Sequence, residues 1–207
     1  MKLIMLGAPG SGKGTQAKKI VEYLKVPHIS TGEIFRKNMR ENTPLGIKVK
    51  DIISEGRLVP DDITIQIVHE RLIEPDCKKG FVLDGFPRSL PQAVALDSLH
   101  KIDYVINLDV ENEIVIARTT GRRTCKTCGT MFNTHEIGGE VVCAKCGGEL
   151  YIRTDDTLEA VLERLEMYEE KTRPLVQYYA KQGKLVNINA DNEPDKVYKA
   201  IIEAIKK

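Results

Sequence analysis

An α/β fold, a parallel sheet with helices on both faces, is the class this 207-residue sequence predicts. Three observations carry that reading. The chain opens with an apolar run that breaks into a glycine-rich loop and then a helical pattern; short apolar runs recur downstream; and helical patterns separate most of them, as in a repeated β–α alternation. The length suits one principal domain with small insertions and a sizeable core.

Lys2 to Leu6 reads as a buried strand, and Gly12 to Leu24 as a helix with Ala17, Ile20, Val21 and Leu24 at helical spacing. The runs KGFVLDGF (79–86), DYVINLDV (103–110) and KLVNIN (184–189) read as further strands, each bounded by turn or charged residues. Two segments depart from the alternation. Between Ser30 and Ile73 lie about three consecutive helical patterns without a convincing strand, broken at NTPLG (42–46) and GRLVPDD (56–62). From Gly121 to about Asp156 the composition shifts to Cys, Gly and Thr, with short β-like pieces and no helical pattern. From Thr157 the chain is strongly helical again, with Leu158, Val161, Leu162 and Leu165 on one face. The expected organisation is a core of residues 1–29, 60–120 and 157–207, a helical insertion at 30–59 and a second insertion at 121–156.

Hydrophobic residues make up 42% of the chain and charged residues 29%, and 31 basic against 30 acidic side chains leave a net charge of +1. That balance suits a soluble globular protein and argues against a nucleic-acid binder, whose field is normally strongly basic. No apolar run approaches the ~20 residues of a membrane helix. Met1–Ile4 leads directly into a strand pattern instead of a signal peptide, so a cytoplasmic protein is expected.

Four of the five cysteines form two C-x-x-C pairs, Cys125 with Cys128 and Cys143 with Cys146, in the pattern C-x2-C-x14-C-x2-C. Gly129 and Gly147 follow the pairs and permit tight knuckle turns. Zn²⁺ in a reducing compartment is the expectation, with two disulfides as the alternative. Four thiolates fill a tetrahedral shell, so such an ion would be structural. Cys77 has no partner in this scheme and reads as an ordinary buried thiol.

Gly7 to Lys13 satisfies G-x-x-x-x-G-K between a strand and a helix, the context this phosphate-binding loop requires. Backbone N–H groups and the helix N-terminus would converge on a phosphate, with Lys13 supplying a point charge. Position 14 is Gly, and the hydroxyl comes one residue later at Thr15. Mg²⁺ is therefore expected on phosphate oxygens and waters, with Asp84, at the end of its strand, as the carboxylate behind those waters.

The strings GAPGSGKGT (7–15), STGEIFR (30–36), GRLVPDD (56–62), DGFPRSLPQA (84–93), TGRR (120–123) and RTDD (153–156) together resemble the adenylate kinase family in its long, zinc-bearing form. The resemblance covers nearly the whole chain in order. It implies a P-loop NTPase-type core with an AMP-binding helical insertion and a mobile zinc-bearing lid, catalysing Mg·ATP + AMP ⇌ 2 ADP in adenine nucleotide homeostasis. It places Lys13, Asp84, Arg88, Arg122, Arg153 and Arg164 in the catalytic set. ATP would be held by Gly10, Ser11, Gly12, Lys13, Gly14, Thr15, Arg118 and Arg122, with its base near Met131, Phe132 and Asn192. AMP would be held by Thr31, Gly32, Arg36, Arg57, Leu58, Val59, Gly85, Phe86, Pro87, Arg88, Gln92, Arg153 and Arg164. Guanidinium groups suit phosphate oxygens bidentately, and a Gln amide offers a purine edge both donor and acceptor. Arg123 is a further candidate for phosphate, with pairing to an Asp such as Asp155 or Asp156 as the alternative. The partners implied are ATP, AMP and ADP only, without nucleic acid or membrane, for a monomer. After CGTMF the lid is shorter than usual and lacks the family's Asn-Pro-Pro stretch, which bears on the adenine contacts of ATP.

Two other enzyme readings compete. A UMP/CMP kinase would share the architecture and differ in acceptor contacts. A switch GTPase would need N-K-x-D, which does not occur. A zinc-ribbon nucleic-acid module is the non-enzyme alternative, but no basic cluster surrounds the cysteines and the P-loop would be left unexplained.

Overall fold

The computed structural model describes residues 1–206, the side chain of Glu136 excepted. In chain order come β1 (Lys2–Gly7), α1 (Lys13–Leu24), β2 (His28–Ser30), α2 (Thr31–Arg40), α3 (Pro44–Ser54) and α4 (Asp61–Leu72). Next are β3 (Phe81–Asp84), α5 (Leu90–Leu99), β4 (Tyr104–Asp109), α6 (Asn112–Thr120), β5 (Arg122–Cys125), β6 (Met131–Asn133), the short α7 (Thr134–Ile137) and β7 (Leu150–Tyr151). The chain ends with α8 (Leu158–Met167), α9 (Pro174–Lys181), β8 (Leu185–Asn189) and α10 (Pro194–Ile205).

Five strands form one parallel sheet in the order β2-β3-β1-β4-β8. Successive side chains of a strand point to opposite faces, and β1 is apolar on both. Ile4 and Leu6 join Val68, Leu72, Ala93, Leu96, Leu175 and Tyr179 from α4, α5 and α9. Leu3 and Met5 join Ala17 and Ile20 of α1 and Val197, Ile201 and Ile202 of α10. A strand covered on both faces needs such an uninterrupted apolar run. Because β1 lies between β3 and β4, the chain changes direction across the sheet beside it, and a crevice opens at the carboxyl ends of the strands. Register puts Asp84 beside Met5 there, at the end where the glycine loop emerges.

Three features differ from the sequence expectations. β2 has only three residues, too few for periodicity to reveal, and its last residue, Ser30, already caps α2 through Glu33 N. A helical turn, α7, follows β6 where no helical pattern was visible. Along α8, Val161 and Leu165 are buried, but Leu158 and Leu162 are 49% and 48% exposed. The covered face of α8 is narrower than its apolar face because Val161 and Leu165 pack with Ala8 and Val115, leaving the flanking leucines to solvent. A π-helical turn, residues 168–172, then interrupts the helix, and Thr172 Oγ1 donates to Arg88 O at 2.7 Å.

Helices α2 and α3 form a hairpin around Phe35, Val49 and Val59. Thr43 caps α3, accepting from Gly46 N at 3.0 Å and donating to Asn38 Oδ1 at 2.7 Å. Strands β5, β6 and β7 make a separate antiparallel sheet over a small cluster of Cys125, Cys143 and Leu150. Among the described residues, no helix is long and apolar enough to cross a membrane.

Gly46 supplies a test of the hairpin. Alanine in a helix is normally favoured over glycine by about 1 kcal/mol, but a Cβ at Gly46 would lie 2.1 Å from Asn38 O. Backbone cannot swing away as a side chain can. Gly46→Ala should therefore destabilise the protein by about 1–3 kcal/mol in urea unfolding; a gain in stability would show that the two helices are not in contact here.

Candidate active site

The glycine loop carries β1 into α1 across the end of the sheet. Gly10 and Gly12 have φ of 79° and 95°, a region most side chains avoid. A Cβ on Gly10 would also meet Thr119 Oγ1 at 2.2 Å and Val115 O at 3.0 Å, so the loop is pressed directly against α6. Lys13 Nζ donates back across the loop to Gly7 O at 2.8 Å and Ala8 O at 2.7 Å. Removal from bulk water lowers its pKa to about 7; Asp84 opposes that shift, and Arg88, Arg164 and Arg122 reinforce it.

In front of the loop lies a cavity of about 620 Å³. Gly32, Arg36, Leu58, Gly85, Pro87 and Arg88 line it from the helical insertion and the β3–α5 turn. Met131 and Phe132 of β6, with Arg118 and Asn192, line it from elsewhere. Gly10 to Thr15, Asp84, Arg122, Arg153 and Arg164 also border this space. The fold brings these chain-distant residues together around one space.

Four of the arginines are each aimed by a group behind them. Arg122 pairs with both oxygens of buried Asp156. Arg164 Nη1 donates to Asp155 O at 2.7 Å and lies 3.2 Å from Asp155 Oδ2. Arg153 Nε donates to Thr124 Oγ1 at 3.0 Å, and Arg88 Nε to Gly85 O at 2.8 Å. Desolvation, with repulsion from Arg164 and Arg36 respectively, brings Arg88 and Arg153 down to about 10. Desolvation opposes the charge of Arg122, but Asp156 outweighs it and holds its pKa above the ordinary value. Burial would neutralise Asp84; His28, Lys13 and Arg88 outweigh that effect and keep its pKa below the usual carboxylate range. His28 Nε2 is 3.5 Å from Asp84 Oδ2. A Cβ on Gly14 would stand 3.3 Å from that same oxygen, so the serine or threonine of other P-loops would crowd the carboxylate.

Several expected contacts lie behind this surface. Thr31 Oγ1 donates to Gly85 O at 2.8 Å, Val59 and Phe86 belong to hydrophobic clusters, and Arg57 pairs with Glu55. Gln92 is 1% exposed, its amide held by Arg88 N and Asp61. Arg118 donates to Ala190 O at 3.0 Å, which ties it to the loop bearing Asn192. Arg123 does not pair with Asp155 or Asp156: it donates to Thr120 O and Arg122 O, because Arg122 and Arg164 occupy those carboxylates. His28 and Asp61 escaped the sequence reading as functional groups: His28 lies in no motif, and Asp61 stands within GRLVPDD (56–62) without a role assigned to it.

The Sγ atoms of Cys125, Cys128, Cys143 and Cys146 lie within 4.8 Å of one another, with Cys125–Cys146 at 3.5 Å and Cys128–Cys143 at 3.7 Å. Tetrahedral Zn–S bonds of ~2.3 Å imply S···S separations of about 3.8 Å, so the donor set fits that ion. None of the five cysteines is in a disulfide. Gly129 and Gly147 have φ of 68° and 72°, as knuckle turns need.

Residues 5–184 match the family model described as adenylate kinase. The adenylate kinase of Caldanaerobacter subterraneus subsp. tengcongensis is 50% identical to this chain, the match covering 99% of the chain and 96% of that protein. That of Carboxydothermus hydrogenoformans is 50% identical over the full length of both, and that of Clostridioides difficile 47% identical over 99% of the chain and 98% of its own.

The state of Lys13 gives this site a pH signature. Its charged form attracts phosphate, and a bound polyanion raises its pKa, so binding near pH 7 takes up protons. Affinity for inorganic tripolyphosphate should fall as pH rises through 7, by at most about tenfold per unit beyond the ligand's own titration. Calorimetry in buffers of different ionisation enthalpy measures the uptake. Lys13→Arg, whose charge does not titrate there, should lose that component; equal proton uptake in both proteins would assign the titration elsewhere.

Proposed function

We propose, for a chain that belongs to the adenylate kinase family, that this cavity holds Mg·ATP and AMP together and transfers the terminal phosphoryl group reversibly, giving 2 ADP. The observation that carries this is the convergence of Lys13, Arg36, Arg88, Arg122, Arg153 and Arg164 on one cavity at a P-loop. Phosphoryl transfer asks an enzyme chiefly for positioning and stabilisation of charge. Lys13 and the loop N–H groups hold the donor phosphates. Arg36 and Arg88, beside the helical insertion, hold the acceptor phosphate, while Arg122, Arg153 and Arg164 answer charge on the group in transit. Thr31, Leu58, Val59 and Gln92 surround the acceptor base; Arg118, Met131, Phe132 and Asn192 the donor base.

Mg²⁺ supplies charge neutralisation between the phosphates. Asp84 would hold it through water, and its ionised carboxylate fits that role. Zn²⁺ on the four cysteines would stabilise the lid without touching the reaction. Unpaired thiols support a reducing, cytoplasmic setting.

Coupled assays offering ATP with AMP, GMP, UMP or CMP test this reading; AMP should be strongly preferred. Lys13→Ala should lower kcat on the order of 10²–10³-fold while the protein stays folded. Preference for UMP or CMP, or near-parental turnover of Lys13→Ala, would overturn the assignment.

The lid should contain one Zn²⁺ per chain, and its removal should act on stability. Chelation or Cys128→Ser should lower the melting temperature, whereas Co²⁺ replacement should leave low-temperature activity largely intact. A metal-free protein by elemental analysis, or a Cys128→Ser variant as stable as its parent, would remove the zinc from this account.

A further inference from the structure

Gln92 sits in the first turn of α5, and both ends of its amide are engaged. Arg88 N donates to Oε1 at 2.7 Å, while Nε2 donates to Asp61 Oδ1 at 2.6 Å. The other oxygen of Asp61 accepts from Ser89 Oγ at 2.8 Å, and Ser89 caps the helix that carries Gln92. Asp61 is the first residue of α4, so this triangle joins the end of the helical insertion to the start of α5.

These partners determine which way the amide faces. An amide can normally turn over, exchanging oxygen and nitrogen. Here the backbone N–H of Arg88 can only donate and the carboxylate of Asp61 can only accept. Oε1 must therefore face Arg88 and Nε2 must face Asp61. One oxygen lone pair and one N–H remain, in fixed order.

That order carries chemical information. A 6-aminopurine presents a donor at its 6-position beside an acceptor at N1; a 6-oxopurine presents the reverse. A freely turning amide could satisfy either. We propose that Asp61 is a positioning residue that locks the Gln92 amide in the orientation matching a 6-aminopurine, and so makes the acceptor site reject 6-oxopurine monophosphates. The inference rests on the reading of Gln92 as a contact to the acceptor base.

The test compares kcat/KM for AMP and for inosine monophosphate in the full-length enzyme and its variants. Asp61→Asn is isosteric and offers Gln92 either a donor or an acceptor. It should reduce the AMP-to-IMP ratio about tenfold, since one of two orienting hydrogen bonds no longer discriminates. Ser89→Ala, which loosens Asp61 but keeps its charge, should shift the ratio in the same direction by less. A purely structural role in tethering the insertion would lower both substrates alike and leave the ratio unchanged. Gln92→Leu separates the two levels of the argument. If it collapses the ratio and Asp61→Asn does not move it, the orienting role is overturned while the base contact stands; if Gln92→Leu leaves the ratio intact, the base contact falls and the orienting role with it.

Discussion

Lys13, Arg36, Arg88, Arg122, Arg153 and Arg164 repel one another across a cavity partly cut off from bulk water, and much of the surrounding structure serves to keep them there. Desolvation makes each charge costly, and proximity makes the group costlier still. The fall of Lys13 to about 7 and of Arg88 and Arg153 to about 10 expresses that cost. The compensation comes from behind. Asp155 and Asp156 back Arg164 and Arg122, the Gly7 and Ala8 carbonyls back Lys13, and the Gly85 carbonyl backs Arg88. Lys13 and Arg88 are fixed by neutral carbonyls, which leave their charge to the cavity, whereas carboxylates hold Arg122 and Arg164.

The architecture follows from where those cations come. Lys13 and Arg88 stand at strand ends of a rigid sheet, whereas Arg36 rides on the helical insertion and Arg122 and Arg153 flank the lid. Charges on separate segments resist being brought together, and a polyphosphate between them reverses the sign of that force. A polyphosphate bound there thus favours closer approach of the segments that carry these cations. Excluding water from between those segments would also have a chemical purpose, because water competes with the acceptor for the phosphoryl group.

What was legible in the sequence was what repeats or carries a fixed spacing. The alternation of short apolar runs disclosed a parallel sheet, G-x-x-x-x-G-K disclosed the loop, and two C-x-x-C pairs disclosed the thiolate cluster. β2 was hidden because three residues make no period. Leu158 and Leu162 share the apolar face of α8 yet stay exposed, because periodicity reports which face of a helix is apolar and not how much of that face a neighbour covers. His28 and Asp61 were invisible for a different reason: they act through Asp84 and Gln92, and such partnerships exist only once the chain has folded. The pairing of Arg122 with Asp156, in preference to Arg123, depends likewise on which way β5 faces, which its composition does not state.

The thiolate cluster answers a problem the lid creates for itself. Its three strands are four, three and two residues long, and its buried apolar cluster consists of Cys125, Cys143 and Leu150. A sheet that small cannot bury enough surface to hold its shape. Enlarging the core on the other face is not open to it, because Arg122, Met131 and the neighbouring Arg153 border the cavity, and Phe132 already packs against the cysteine cluster. A four-coordinate metal on these thiolates would solve this with cross-links that need little volume, all on strand ends and knuckles away from those side chains. Cross-linked in this way, the lid would be rigid enough to aim two arginines while leaving the cavity-side face of its sheet to the nucleotides.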